Sequence, residues 1–189
     1  QDTTSYGIDL GLKEGLAYLL GLLANLRSPG EKWIRFLYAY PNRITGRLLD
    51  VMAGHESLVN YIDLPLQHAS AGVLKRMRRG GSGEAFLKLI EKIRRRLPGV
   101  ALRTSLIVGF PGESEKDFAE LCQFVEAARF EHLGVFSYSD EEASRSFHLP
   151  GKVDRRTIYH RRRRLMAIQR RISRANNRRQ VGETFRVLV

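Results

Sequence analysis

Apolar runs with strand-like spacing alternate along this chain with segments whose apolar residues recur every three to four positions. Trp33–Tyr40, Tyr61–Leu66, Val100–Val108 and His132–Tyr138 predict four strands. Leu10–Leu26, Thr45–Ala53, Gly83–Leu97 and Glu115–Ala128 predict the intervening helices. The segment 83–97 sets Phe86, Leu87, Ile90, Ile93 and Leu97 on one face, with Ser82 as N-cap and Pro98-Gly99 as the stop. The next helix opens on Ser114, with Asp117 three residues on as in a capping box, and its stripe is Phe118, Leu121, Phe124 and Val125. A long helix follows over 154–179, striped by Ile158, Leu165, Ile168, Ile172 and Ala175. Gly182 ends it, and Glu183–Val189 reads as the start of another strand.

Strand–helix alternation with short connections predicts an α/β fold of parallel units, an incomplete (β/α) barrel, because four strands cannot close one. The expected division is a partial barrel over 1–150, an Arg-rich linker helix over 151–180, and the start of a further β domain over 181–189. Functional residues of such barrels gather at the C-terminal strand ends. Here those ends read Tyr40-Pro41-Asn42, Gln67-His68, Gly109-Phe110-Pro111-Gly112-Glu113 and Ser137-Tyr138-Ser139.

Composition and termini bound this picture. At 189 residues the chain fits one domain, or one domain plus an appendage, and 43% hydrophobic residues suffice for a sizeable core. No apolar run reaches the roughly 18 residues of a membrane span, so no membrane association is expected. The single Cys122 excludes an intramolecular disulfide or a Cys-only metal site, and its place beside Leu121 reads as a small buried hydrophobe. A start at Gln-Asp-Thr-Thr, with neither Met nor signal peptide, reads as a fragment of a longer cytoplasmic protein.

The charge of +12 is unevenly placed: residues 154–179 hold eleven arginines against Asp154 alone. Arg161–Arg164 spread around a full helical turn. They read either as a solvated face or as a salt-dependent attraction to ribosomal RNA along Arg155–Arg179.

The run Arg103-Thr-Ser-Leu-Ile-Val-Gly-Phe-Pro-Gly-Glu113 ends a strand in a tight Gly turn ahead of a helix. That geometry lets backbone N–H groups approach a ligand. Four further motifs accompany it: Gln1-Asp-Thr-Thr-Ser-Tyr-Gly7, Tyr61-Ile-Asp-Leu-Pro-Leu-Gln-His-Ala-Ser70, Leu74-Lys-Arg-Met77 and Tyr138-Ser-Asp-Glu-Glu142. In this order and spacing the chain resembles the radical S-adenosylmethionine (SAM) methylthiotransferases of the RimO/MiaB type over nearly its whole length. The opening motif and Glu141-Glu142 are similar to the branch that modifies a ribosomal protein. Ala143-Ser144 and Gly80 depart from that branch's usual Gly-Thr and Pro.

The resemblance implies a radical SAM barrel that methylthiolates the β-carbon of an aspartate in a small-subunit ribosomal protein. The alternatives are a tRNA adenosine methylthiotransferase and a non-catalytic RNA-binding homologue. It further implies SAM, two 4Fe-4S clusters whose ligands would precede Gln1, a reductant protein, and a TRAM-like domain after the linker helix. The fragment itself would be inactive. The implied SAM-holding residues are Gln1, Asp2, Thr3, Gln67, Arg103, Gly109, Gly112, Glu113, Tyr138 and Ser139. Each has a plainer reading as well. Asp2 either meets the SAM amine or makes an Asx turn; Arg103 meets the SAM carboxylate or a neighbouring acid. Gly109 and Gly112 admit adenosine or simply turn the chain. Glu113 contacts ribose or favours the helix N-terminus. His68 reads as a hydrogen-bonded structural residue rather than a metal ligand.

Overall fold

A computed structural model describes residues 2–187; Gln1 and the last two residues of the expected C-terminal strand lie outside that range. Its centre is a parallel sheet of three strands, β1 (Tyr61–Asp63), β2 (Ala101–Val108) and β3 (His132–Ser137), in that spatial order. Helices α1 (Gly15–Asn25), α2 (Gly46–Ala53), α3 (Ala71–Arg76), α4 (Gly83–Arg96), α5 (Glu115–Ala128) and α6 (Arg155–Arg178) complete the fold.

Alternation along β2 separates two faces. Leu102, Thr104, Leu106 and Val108 are buried, whereas Ala101, Arg103, Ser105 and Ile107 are only partly covered. The buried face meets α4, α5 and α6 through Phe86, Ile90, Ile93, Phe118, Leu121, Val125, Leu165 and Ile168. The other face stays open, and Phe136 of β3 is 56% exposed on it. This half-covered sheet is the partial barrel expected from the α/β alternation.

The caps follow the sequence. Thr45, Ser82, Ser114 and Asp154 each accept a backbone N–H at the start of α2, α4, α5 and α6. Ser114 and Asp117 form the full capping box.

Five elements differ from expectation. Trp33–Tyr40 forms no strand and bridges only at Ile34↔Leu58. Tyr38 turns left-handed (φ 58°), and its N–H donates to the Asp63 side chain at 3.2 Å instead of to a strand carbonyl. The strand expected over 61–66 stops at Asp63 because Pro65 lacks an N–H. Pairing resumes at Gln67↔Leu106, so four residues on this side oppose three on β2, a bulge. The Thr104 hydroxyl fills it, donating to Leu64 O at 2.7 Å. Helix α1 starts at Gly15, not Leu10: Gly11 and Glu14 are left-handed, and a side chain at Gly15 would strike Tyr6 O. Helix α3, capped by Ser70, was not expected. Residues 183–187 carry no regular structure, so the expected strand does not appear among the described residues.

Candidate functional site

The Gly109–Glu113 turn is built from inside. Glu113 is 4% exposed and folds back beneath its own loop, accepting the N–H of Gly109 and, at 3.2 Å, that of Phe110. Arg161 of α6, 6% exposed, donates to its carbonyl at 3.0 Å and to its Oε1 at 3.1 Å. Burial raises the Glu113 pKa, partly opposed by Arg161 and the two amides. A charged pair this deep needs its hydrogen bonds made: the turn amides serve the Glu113 carboxylate, and Arg161 Nη1 and Nη2 are taken by Glu113 and Glu115, while its Nε has no partner among the described residues.

The glycines have local reasons. Both have φ near +80° (79° and 78°). A Cβ on Gly109 would sit 2.2 Å from Ile158 Cγ1, and one on Gly112 3.1 Å from Arg76 Nε. Their open sides are thus filled by α6 and α3. Gly112 N–H also donates to Gly151 O at 2.7 Å, tying the turn to the segment that enters α6.

His68 lies behind this turn, fully buried. Its Nδ1 accepts the Ser70 N–H at 3.0 Å, which puts the ring proton on Nε2, 3.9 Å from Glu113 Oε2. That separation is too long for a hydrogen bond. Burial lowers the His68 pKa to about 4, so the ring is neutral. Asp117 links the same region: it accepts from Ser70 Oγ and faces Arg76 at 3.8 Å. Burial tends to raise its pKa, but hydrogen bonds from Ser114 and Ser70 hold it at about 2.

On the open face, Asp63 and Arg103 stand opposite each other in register. Asp63 is 1% exposed; its Oδ2 faces Arg103 Nη1 at 3.9 Å, and its Oδ1 is buried with no hydrogen-bond partner among the described residues. Sequence reading singled out Arg103 but missed Asp63. The signal was a carboxylate within an otherwise apolar strand, Tyr61-Ile-Asp-Leu-Pro-Leu. An orphaned carboxylate oxygen beside a half-exposed guanidinium suits a ligand carrying both an ammonium and a carboxylate.

A cavity of about 660 Å³ opens at the C-terminal ends of β2 and β3, floored by Ile107, Phe110 and Phe136. Gln67, Tyr138 and Ser139 line it, so three of the expected residues converge there. Tyr138 packs edge-on to Phe110 at 5.4 Å and donates to Ser146 Oγ at 3.0 Å; Ser139 donates to Glu141 at 2.6 Å. Asp2 and Thr3 are elsewhere, in a 3₁₀ turn over Thr3–Ser5. Asp2 accepts from Thr4 N at 2.9 Å and Ser5 Oγ at 2.6 Å, and Thr3 N–H donates to Tyr38 O at 3.1 Å. Burial raises the Asp2 pKa, but the Ser5 and Thr4 hydrogen bonds outweigh it and the net shift is downward. A second cavity of about 540 Å³, lined by Trp33, Asn60 and Pro98, lies at the opposite strand ends, where barrels carry structure rather than chemistry.

A family model described as the radical SAM superfamily matches residues 5–125. The chain belongs to the radical SAM superfamily. Within it, the chain is 68% identical over all 189 residues to a protein of Solibacter usitatus named ribosomal protein uS12 methylthiotransferase RimO, and covers 41% of that protein. It is 54% identical over its whole length to the protein of the same name from Koribacter versatilis, covering 37% of it. The chain thus spans about two fifths of the length of these relatives. Coproporphyrinogen III oxidase (HemN) from Escherichia coli, a radical SAM enzyme, superposes on 85% of this chain and 38% of its own at 18% identity, with TM-score 0.67, which shows the shared fold.

The donor set separates the two cofactors of a radical SAM protein. Among the described residues no three His, Cys, Asp or Glu side chains gather to hold a metal. Cys122 is buried in α5, and burial raises its thiol pKa. These residues do not fit an iron–sulfur cluster, whereas the Asp63–Arg103 pair can offer an acceptor and a donor to a zwitterionic ligand.

Proposed function

We propose that this chain is the SAM- and substrate-holding part of a ribosomal protein uS12 methylthiotransferase acting on the β-carbon of an aspartate. The 68% identity over all 189 residues to a protein of that name carries the reading. Bound SAM and an iron–sulfur cluster supply abstraction of hydrogen from an unactivated carbon. Every other task falls to the barrel. The orphaned Asp63 Oδ1 offers an acceptor for the SAM ammonium, and Arg103 offers its planar fork to the carboxylate. Gln67, Tyr138 and Ser139 supply polar groups at the cavity wall, while Ile107, Phe110 and Phe136 keep water from the floor. Glu113, Gly109 and Gly112 act one step back, as the frame that holds Phe110 against Tyr138. Asp2 and Thr3 brace the adjoining Tyr38 segment.

The rest of the reading concerns the longer protein. Two 4Fe-4S clusters, a reductant protein and a TRAM-like domain after residue 180 belong to it, in the cytoplasm. The exposed arginines of α6 are offered to ribosomal RNA. The test is an assay of the full-length, cluster-loaded enzyme on uS12 and on tRNA. Gain of a methylthio group by uS12 supports the reading. Modification of tRNA alone overturns it in favour of a tRNA methylthiotransferase. Activity on neither, with SAM left uncleaved, favours a non-catalytic RNA-binding homologue.

A further inference from the structure

Four arginines, Arg76, Arg78, Arg79 and Arg145, border the 660 Å³ cavity. Two are committed to the fold. Arg76 donates to Gly112 O at 2.8 Å, and Arg79 donates to Pro65 O at 3.0 Å and lies over the Tyr40 ring. Arg78 and Arg145 are exposed, and among the described residues neither guanidinium has a hydrogen-bond, ion-pair or aromatic partner. Their backbones are nonetheless fixed. Arg78 is the left-handed residue (φ 55°) that closes α3, followed by Arg79 N–H donating to Leu74 O at 2.8 Å. Arg145 opens a 3₁₀ turn pinned by the Tyr138–Ser146 hydrogen bond.

We propose that Arg78 and Arg145 form the carboxylate-recognition site of this cavity and hold the acidic side chain of the protein substrate. The inference rests on the protein-substrate reading above and names the residues that select aspartate. Two forked donors above an apolar floor match a carboxylate on a short side chain. Glu141 on the same wall, with Glu142 beside it, opposes a chain of phosphates far more than one side-chain carboxylate, which favours a single acidic residue of a peptide over RNA.

The test uses the full-length, cluster-loaded enzyme and uS12 carrying either Asp or Asn at the modified position, with affinities measured by titration. The wild type binds the Asp form at least about tenfold more tightly. In Arg78→Gln/Arg145→Gln that preference shrinks to about twofold or less, while affinity for the Asn form persists. The Arg78→Lys/Arg145→Lys enzyme retains part of it, since the charges remain. Equal weakening of both forms marks a merely structural role and overturns the proposal. So does a tenfold preference surviving in the Gln variant. If uS12 is modified and either result follows, only this inference falls; if tRNA alone is modified, the protein-substrate reading falls with it.

Discussion

Arg161 Nη1 lies 3.1 Å from Glu113 Oε1, with both side chains sealed from solvent beneath the Gly109–Glu113 turn. The arginine comes from α6 and the acid from the end of the β2 loop, so one ion pair joins the last helix to the loop at the mouth of the cavity. Removing one partner leaves a buried, uncompensated charge. Arg161→Met is therefore expected to cost about 3–5 kcal/mol in chemical denaturation of the full-length protein. Arg161→Met/Glu113→Gln recovers much of that loss, because a neutral amide needs no counter-charge. A double variant as unstable as the single one would show that packing, not charge, holds the joint.

His68 sets a pH dependence. Its folded pKa of about 4 lies below the ordinary 6.5, so the unfolded chain binds the proton more readily. The stability it contributes is complete above pH 6.5 and is lost as the pH falls toward 4, by up to about 3 kcal/mol. Asp117, held at about 2, loses its contribution only below its unfolded value of 3.8, outside this window. Glu113, with its raised pKa, acts in the opposite sense and stabilises as it protonates. Subtracting the pH–stability curve of His68→Asn from that of the wild type isolates the histidine, since the Asn carbonyl can still accept the Ser70 N–H. Parallel curves between pH 4 and 6.5 would refute the assignment.

Gly109 is predicted to tolerate no side chain. Gly109→Ala combines a left-handed backbone with a Cβ placed 2.2 Å from Ile158 Cγ1. The backbone term alone is about 1–2 kcal/mol, and the clash adds to it. In an Ile158→Ala background the same change should cost less than in the wild type. Additive costs in that cycle, read from thermal unfolding, would mean that the two residues do not meet.

Arg103→Lys keeps the charge but loses the fork. SAM affinity of the full-length enzyme, measured by equilibrium binding, should fall about tenfold or more. Asp63→Asn should weaken it similarly by removing the acceptor for the ammonium. Unchanged binding in both variants would move SAM off this face.

The elements legible in the sequence were those with strong local patterns. Helix α5 and its capping box match residue for residue, and α4 and α6 match to within a residue or two, because stripe and cap agree on their ends. The segment 33–40 was not legible as it stands, since its pleat is broken by a Tyr38 turn that depends on Asp63 far along the chain. Convergence at the site was legible for Gln67, Tyr138 and Ser139, because strand ends gather in any β/α barrel. The true neighbours of Gly109, Gly112 and Glu113 were hidden. Turn glycines look alike in sequence whether a ligand or a helix fills the space, and nothing sets the buried Arg161 apart from the run of four arginines read as a solvated or RNA-facing surface.

The joint between Glu113 and Arg161 also fixes an order of events during synthesis. The turn leaves the ribosome well before α6, and until Arg161 follows, Glu113 has no counter-ion and Gly109 has nothing seated against it. The sheet and the α4–α5 layer can assemble as the chain emerges. The cavity mouth acquires its final shape only when α6 arrives, so a chain ending before residue 161 carries an unset loop.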